Sequence, residues 1–229
     1  MYQEQKTLAF SKIAGQYDLI NDVMSFGMHR YWKQMLVSRI LKMKADSPRV
    51  LDIASGTGDL ARYFITRSQG PSRMVGIDPS PEMLRVAKQK VPKAEFYITK
   101  SENLIFSENS FDAITCTFGP RNMDDLDLAL QQWKRVLTPD GVVGVIESHP
   151  VEPGMFNFPF TAYWRWIVPL IGKIINKKEA YEYLVNSTQN FLSRSKLVDS
   201  FEKNGFETLQ SKALLPYGQI SLSLFKNKS

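Results

Sequence analysis

Between residues 49 and 147 the chain alternates short apolar runs with stretches whose apolar positions recur every three or four residues. The runs Arg49–Ala54, Met74–Asp78, Glu95–Thr99, Phe111–Cys116 and Val142–Glu147 are rich in Val, Ile, Phe or Tyr and have the length of strands. Between the first two, Leu60, Ala61, Phe64 and Ile65 fall at helical spacing. Pro81 opens the next helix, carried by Met83, Leu84, Val86 and Ala87, with Ser80 placed as its N-cap. A third helix spans Leu126 to Leu137 and should stop at the turn Thr138-Pro139-Asp140-Gly141. Near-continuous apolar strands separated by helices predict a parallel sheet covered on both faces.

The two ends depart from this rhythm. Ser195 to Asn204 predicts a helix with Leu197, Val198 and Phe201 on one face and Gly205 as its stop. Glu207–Leu214 and Gln219–Lys226 read as two strands around Pro216-Tyr217-Gly218, a hairpin at the sheet edge. The first 48 residues and the block Tyr163–Tyr183 read as mostly helical and outside the strand unit. The expectation is a single domain over residues 1–229. Within it, 1–48 would form a helical lid and 49–147 a ligand-binding core; 148–190 would be a helical insertion facing substrate or membrane, and 191–229 a terminal helix and hairpin.

Composition narrows the function without changing this picture. With 43% hydrophobic and 23% charged residues in 229, the chain is a folded domain and not a disordered or low-complexity one. Cys116 is the single cysteine, and His29 and His149 are the two histidines, so neither a disulfide framework nor a thiolate or histidine metal cluster is expected. The net charge of +6 lies in the two ends, and no block of Arg and Lys reaches the length of a nucleic-acid-binding arm. Met1–Ala14 lacks the apolar core of a signal peptide, and Tyr163–Ile175 is short and interrupted by Arg165, Pro169 and Lys173. Those features point to the cytoplasm.

The sharpest motif is Asp52-Ile53-Ala54-Ser55-Gly56-Thr57-Gly58-Asp59, placed where the first strand passes into the first helix. Gly56 and Gly58 lack a Cβ, which lets the chain turn tightly and lets a ligand approach backbone. Asp78 follows at the end of the second strand, where a carboxylate can accept both hydroxyls of a ribose. Asp52, Asp59 and Asp78 crowd this turn. Three carboxylates would repel a pyrophosphate but suit S-adenosylmethionine, which carries a sulfonium and an ammonium and no phosphate.

The segments Val50–Ala61, Gly76-Ile77-Asp78-Pro79-Ser80 and Phe111-Asp112 resemble the class I S-adenosylmethionine methyltransferases. A narrower resemblance rests on Tyr17-Asp18-Leu19-Ile20-Asn21-Asp22, Ser25 to Lys33, Phe118-Gly119-Pro120-Arg121-Asn122, Trp133 to Leu137 and Glu179 to Leu184. By these the chain resembles the ubiquinone/menaquinone biosynthesis C-methyltransferase family from Phe10 to about Phe206. That resemblance implies a seven-stranded, mostly parallel Rossmann-like sheet with an antiparallel edge hairpin. It also implies methyl transfer from S-adenosylmethionine to a ring carbon of a prenylated quinol, either demethylmenaquinol or a ubiquinol precursor.

The resemblance places Thr57, Asp78 and Pro79 at the cofactor, with Lys100-Ser101 at the adenine, Thr117 at a further cofactor-side position and Tyr17 and Asp18 in a lid. Lys100 stands where the family carries Asn or Asp, so adenine recognition would fall to backbone or to Glu102. Arg121 is expected to stabilise the developing phenolate and Asn122 to orient it; the alternative is an Arg121 clamp to Asp124 or Asp125. His149, directly after the fifth strand, is the candidate general base, whereas His29 reads as structural. The aromatic block Phe156 to Trp166, beside Arg165, Lys173, Lys177 and Lys178, reads as a membrane-facing lid over 155–178 or as a core or dimer-interface element. Another small or lipid acceptor, a nicotinamide-dependent oxidoreductase and a non-catalytic subunit of a quinone-synthesis complex are the competing readings.

Overall fold

The computed structural model describes residues 14–44, 47–68, 73–150, 178–214 and 219–228. The aromatic block within 151–177 and the turn Pro216-Tyr217-Gly218 lie outside these residues. Two helices come first, α1 (Tyr17–Ser25) and α2 (Met28–Met43). Then β1 (Val50–Ile53), α3 (Asp59–Arg67), β2 (Met74–Asp78), α4 (Pro81–Lys90), β3 (Glu95–Ile98) and β4 (Phe111–Thr117) alternate. A single 3₁₀ turn at Pro120–Asn122 leads to α5 (Leu126–Val136) and β5 (Leu137–Ser148). The chain closes with α6 (Lys178–Gln189), α7 (Arg194–Lys203), β6 (Phe206–Ala213) and β7 (Ile220–Asn227).

The seven strands form one sheet in the order β3-β2-β1-β4-β5-β7-β6. The strands from β3 to β5 run parallel, and β7 inserts antiparallel between β5 and β6. The chain steps outward from β1 through β2 to β3, then returns to lay β4 on the other side of β1. That reversal is a topological switch point, where helices leave in opposite directions and a crevice opens beyond the strand ends.

Alternation of side chains across the pleat gives the sheet two apolar faces. Val50, Met74, Ala113 and Val142 pack under Leu36, Ile40, Leu60, Phe64 and Leu84 of α2, α3 and α4. Leu51, Ile53, Val75, Ile114 and Val143 pack under Leu130, Trp133, Leu197 and Phe201 of α5 and α7. Phe201 also stacks flat on Phe225 of β7, with ring centroids 3.8 Å apart, and so ties the hairpin to the same core.

Two expectations are revised here. Residues of α2 do not belong to a lid outside the sheet: Trp32, Leu36, Val37 and Ile40 are buried in the core. Leu36 sits so close to Gly144 of β5 that a Cβ there would lie 2.5 Å from its Cδ1. The turn Thr138–Gly141 does not separate α5 from the fifth strand but is taken into it. Phe111 pairs with Leu137 and Ala113 with Val142, so the extra residues form a bulge near the start of β5. The predicted helix signals hold: Ser80 Oγ accepts from the Met83 amide, and Gly205 ends α7 at φ +83°.

Candidate active site

A cleft opens at the switch point, floored by Ile53, Ala54 and Ile77 at the ends of β1 and β2. Asp78, Pro79 and Ser80 form one wall, Thr99 to Glu102 a second, and Gly119 with Asn122 to Asp124 a third. The backbone at its edges is unusual: Ala54 (φ +53°) and Phe118 (φ +57°) are left-handed without being glycine. Such a conformation costs an L-residue about 1–2 kcal/mol and marks a segment held by its surroundings.

With Glu102 and Asp124 on the other walls, Asp78 lines this cleft at the end of β2. One oxygen accepts the Gly56 amide at 3.0 Å and the other the Ser80 amide at 2.9 Å. Burial pushes its pKa up to about 6 despite those two amides. Each carboxylate oxygen has a second acceptor direction, so Asp78 fits a diol donor against an apolar floor, as an adenosyl ribose requires. Pro79 lies beside it on the same wall.

The other two motif carboxylates face elsewhere, which corrects the image of three charges around one turn. Asp52 is buried and accepts the Thr115 hydroxyl at 2.9 Å; burial raises its pKa to about 7. Asp59 takes Lys33 Nζ at 3.2 Å and Lys90 Nζ at 2.8 Å. Burial would raise its pKa, but the two lysines outweigh that and hold it below the ordinary carboxylate range.

The same lysine fastens the N-terminal helix. Lys90 Nζ also reaches Asp18 of α1 and, at 3.2 Å, the Thr57 hydroxyl, which in turn donates to Asp18. The Thr57 side chain is therefore committed to α1 and does not line the cleft. Tyr17 lies over the glycine turn, 3.8 Å from where a Gly56 Cβ would stand. Gly58 makes the tight turn expected of it, at φ +78°, and has a packing task besides. A Cβ there would lie 3.0 Å from Ala87 of α4, so this glycine permits α3 and α4 to pack closely and does not open backbone to a ligand.

On the second wall Lys100 extends to Asp124 at 2.9 Å and is half exposed. Glu102 Oε1 accepts the Asp124 amide at 2.7 Å, so that oxygen is engaged at the start of α5. The Ser101 hydroxyl accepts the Trp133 indole N–H at 2.7 Å. Lys100 Nζ is thus engaged with another residue of the cleft, and Ser101 Oγ keeps its own O–H to donate. Thr117 ends β4 and is not among the residues lining the cleft.

The substrate-side candidates separate. Arg121 is buried and paired with Glu147 at the end of β5, its backbone amide also donating to Glu147 Oε2 at 3.1 Å. It is neither a clamp to Asp124 or Asp125 nor a group lining the cleft. Asn122, its neighbour, does line the cleft. His149, the candidate base, has both ring nitrogens engaged within the protein. Its Nδ1 is 2.9 Å from the Leu192 carbonyl, which can only accept, so Nδ1 carries the proton. Its Nε2 then accepts the Ser221 hydroxyl at 2.7 Å, leaving no open lone pair. Burial lowers its pKa below the usual imidazole value, against the pull of the Leu192 carbonyl, so it stays neutral. His29, bonded to Asp22 at 2.9 Å, is structural as expected.

Three participants carried no recognisable sign of their role in the sequence: Glu147, Lys90 and Tyr183, whose hydroxyl donates to Asn122 at 2.8 Å. Lys33 and Tyr183 stood inside the stretches that carried the family resemblance, which marked the segments and not their tasks.

A seven-stranded sheet of this order with a cleft at the β1–β4 switch point is the fold of the class I S-adenosylmethionine-dependent methyltransferases. Solved structures similar to it include such an enzyme from Aquifex aeolicus (TM-score 0.57, 17% identical, 79% of this chain and 82% of that one). Another is the 1,6-didemethyltoxoflavin-N1-methyltransferase of Burkholderia thailandensis with bound S-adenosylhomocysteine (TM-score 0.65, 14% identical, 100% and 90% covered). At those identities they establish the fold alone. Sequence comparison goes further: residues 2–221 match the ubiE/COQ5 methyltransferase family, and the chain belongs to it. Among its relatives are the ubiquinone/menaquinone biosynthesis C-methyltransferase UbiE of Rickettsia bellii, 37% identical over 215 residues (90% of this chain, 86% of the relative), and the demethylmenaquinone methyltransferase of Thermotoga maritima, 36% identical over 200 residues (86% of each). The UbiE protein of Campylobacter jejuni is 35% identical with 98% of each chain covered.

The buried Arg121–Glu147 pair yields a stability prediction. Arg121→Ala leaves the Glu147 carboxylate buried without its cation and should lower unfolding free energy by about 3–5 kcal/mol in urea denaturation. A loss below about 1 kcal/mol would place the guanidinium in solvent and contradict the pairing.

Proposed function

We propose that this protein is an S-adenosylmethionine-dependent C-methyltransferase acting on the ring of a prenylated quinol, demethylmenaquinol or a ubiquinol precursor. The observation that carries the reading is the cleft itself, in which a diol-accepting carboxylate, Asp78, faces the same space as Asn122. A nicotinamide dinucleotide is disfavoured because the chain belongs to a methyltransferase family; Asp78 by itself, at the end of β2, would serve the ribose of either cofactor. Among the described residues, no helix is long and apolar enough to cross a membrane. The segment 155–178 is our candidate for contact with a prenyl tail, on its run of aromatic residues beside Arg165, Lys173, Lys177 and Lys178.

When bound, the cofactor supplies a methyl group on a sulfonium, and its leaving group is a neutral thioether. The protein's own contribution is positioning and dryness. Asp78 would hold the ribose, Pro79 and Ile77 the apolar side of the nucleoside, and Lys100 and Ser101 the remaining polar edges, while Gly56 sets the Asp78 carboxylate through its amide. Thr57 and Tyr17 act by docking α1 over the turn, Asp52 by bracing β1 against β4, and Thr117 by ending β4 beside the cleft. A ring carbon becomes nucleophilic as the neighbouring hydroxyl gives up its proton to solvent, Asn122 would donate an N–H to that oxygen, and the methylated carbon then releases its own proton to solvent as the ring regains aromaticity. Arg121 acts on the reaction through the loop it anchors, and His149 takes no part in proton transfer.

The direct test is methyl transfer from labelled S-adenosylmethionine to a prenylated demethylquinol under reducing conditions, with the product identified by mass as ring-methylated. Transfer to oxygen, or none to any quinol, would contradict the reading. The pH dependence of cofactor binding has a fixed sign. Asp78 accepts the diol only as carboxylate, so affinity should be level above about pH 7 and weaken about tenfold per unit well below pH 6. Its elevated pKa also means that its contribution to apoprotein stability is greatest in acid and declines as pH rises from 3.8 to about 6. An affinity that rises on acidification would contradict the assignment.

A further inference from the structure

Helix α6 is joined to the cleft at two points. Thr188 shares a 3.1 Å hydrogen bond with Ser148, whose amide and hydroxyl reach the same Glu147 that holds Arg121. One and a half turns earlier in the helix, Tyr183 donates its hydroxyl to Asn122 Oδ1 at 2.8 Å. Asn122 Nδ2 donates to the Phe118 carbonyl at 3.2 Å. A carbonyl only accepts, so the amide nitrogen must point toward Phe118 and the amide oxygen toward Tyr183. With both ends assigned, the side-chain amide cannot flip. It keeps one N–H uncommitted among its hydrogen bonds to described residues, and Asn122 lines the cleft.

We propose that Tyr183 is a positioning residue for the methyl acceptor: by holding the Asn122 amide oxygen it fixes that side chain as a hydrogen-bond donor to the acceptor ring's oxygen. This rests on the quinol reading given above. A donor at that point favours an oxygen that gains negative charge during transfer, so the contact matters more in the transition state than in the ground state. Without the tyrosine hydroxyl the amide keeps only the 3.2 Å contact to the Phe118 carbonyl to hold its orientation, so its remaining N–H is less firmly aimed at the acceptor oxygen. Tyr183 thereby makes α6 a working part of the acceptor side, and does so without touching the cofactor.

The experiment compares Tyr183→Phe, Asn122→Ala and the double variant in the full chain. Tyr183→Phe should leave S-adenosylmethionine affinity and urea midpoint near wild type and lower kcat for the quinol about tenfold, with a smaller change in KM. In the Asn122→Ala background it should add nothing, because it acts through that amide. Additive losses, or Tyr183→Phe at wild-type turnover, would overturn the proposal. A substrate-free arm separates it from the reading beneath it: the Asn122 side-chain amide resonances, assigned by their loss in Asn122→Ala, should shift in apo Tyr183→Phe. Unchanged resonances overturn the contact whatever the substrate. No methylation by wild type of any quinol overturns the acceptor reading and the proposed role together.

Discussion

One carboxylate joins the parts of this site. Asp78 stands at the end of β2, and its two oxygens hold the Gly56 amide of the glycine turn and the Ser80 amide at the start of α4. A carboxylate is an acceptor with room for more than two donors. Its burial is therefore tolerable while those amides face it, and complete when a ligand brings hydroxyls of its own. Burial raises its pKa in spite of those two amides. The floor of the cleft, the course of the turn and the first turn of α4 all follow from this arrangement.

Around it the structure uses paired charges to fasten helices and loops to one another. Lys90 reaches from α4 to Asp59 of α3 and to Asp18 of α1, and Lys33 of α2 closes the set on Asp59. Four helices thus meet at one cluster beside the glycine turn, buried at Lys33 and Asp59 and partly exposed at Lys90 and Asp18. Buried pairs of this kind contribute little net stability but make departures from one arrangement expensive. The consequence for function is that Tyr17 is held over Gly56 by a network and not by apolar packing alone. Arg121 and Glu147 do the same for the loop that presents Asn122.

The strands were legible because β1, β2, β4 and most of β5 are buried on both faces and read as unbroken apolar runs. Local chemistry was legible too: Ser80 as a cap, Gly205 as a stop, and Asp78 at a strand end. What sequence could not give was the partner of each charged side chain. Asp59 is neutralised by residues 26 and 31 positions away. The ring of His149 is saturated by residues 43 and 72 positions away, which turns a plausible base into a structural strut. Gly58 looked like backbone opened to a ligand, and only the approach of Ala87 reveals it as a packing requirement.

The central claim is that Asp78 is the acceptor on which cofactor binding depends. Calorimetric titration of S-adenosylmethionine into wild type and Asp78→Asn at neutral pH tests it most directly. The substitution keeps shape and size but turns one of the two acceptor oxygens into a donor. The account predicts micromolar binding by wild type and at least about a hundredfold weaker binding by the variant, a loss of about 2.7 kcal/mol. Equal binding by the two proteins would contradict it.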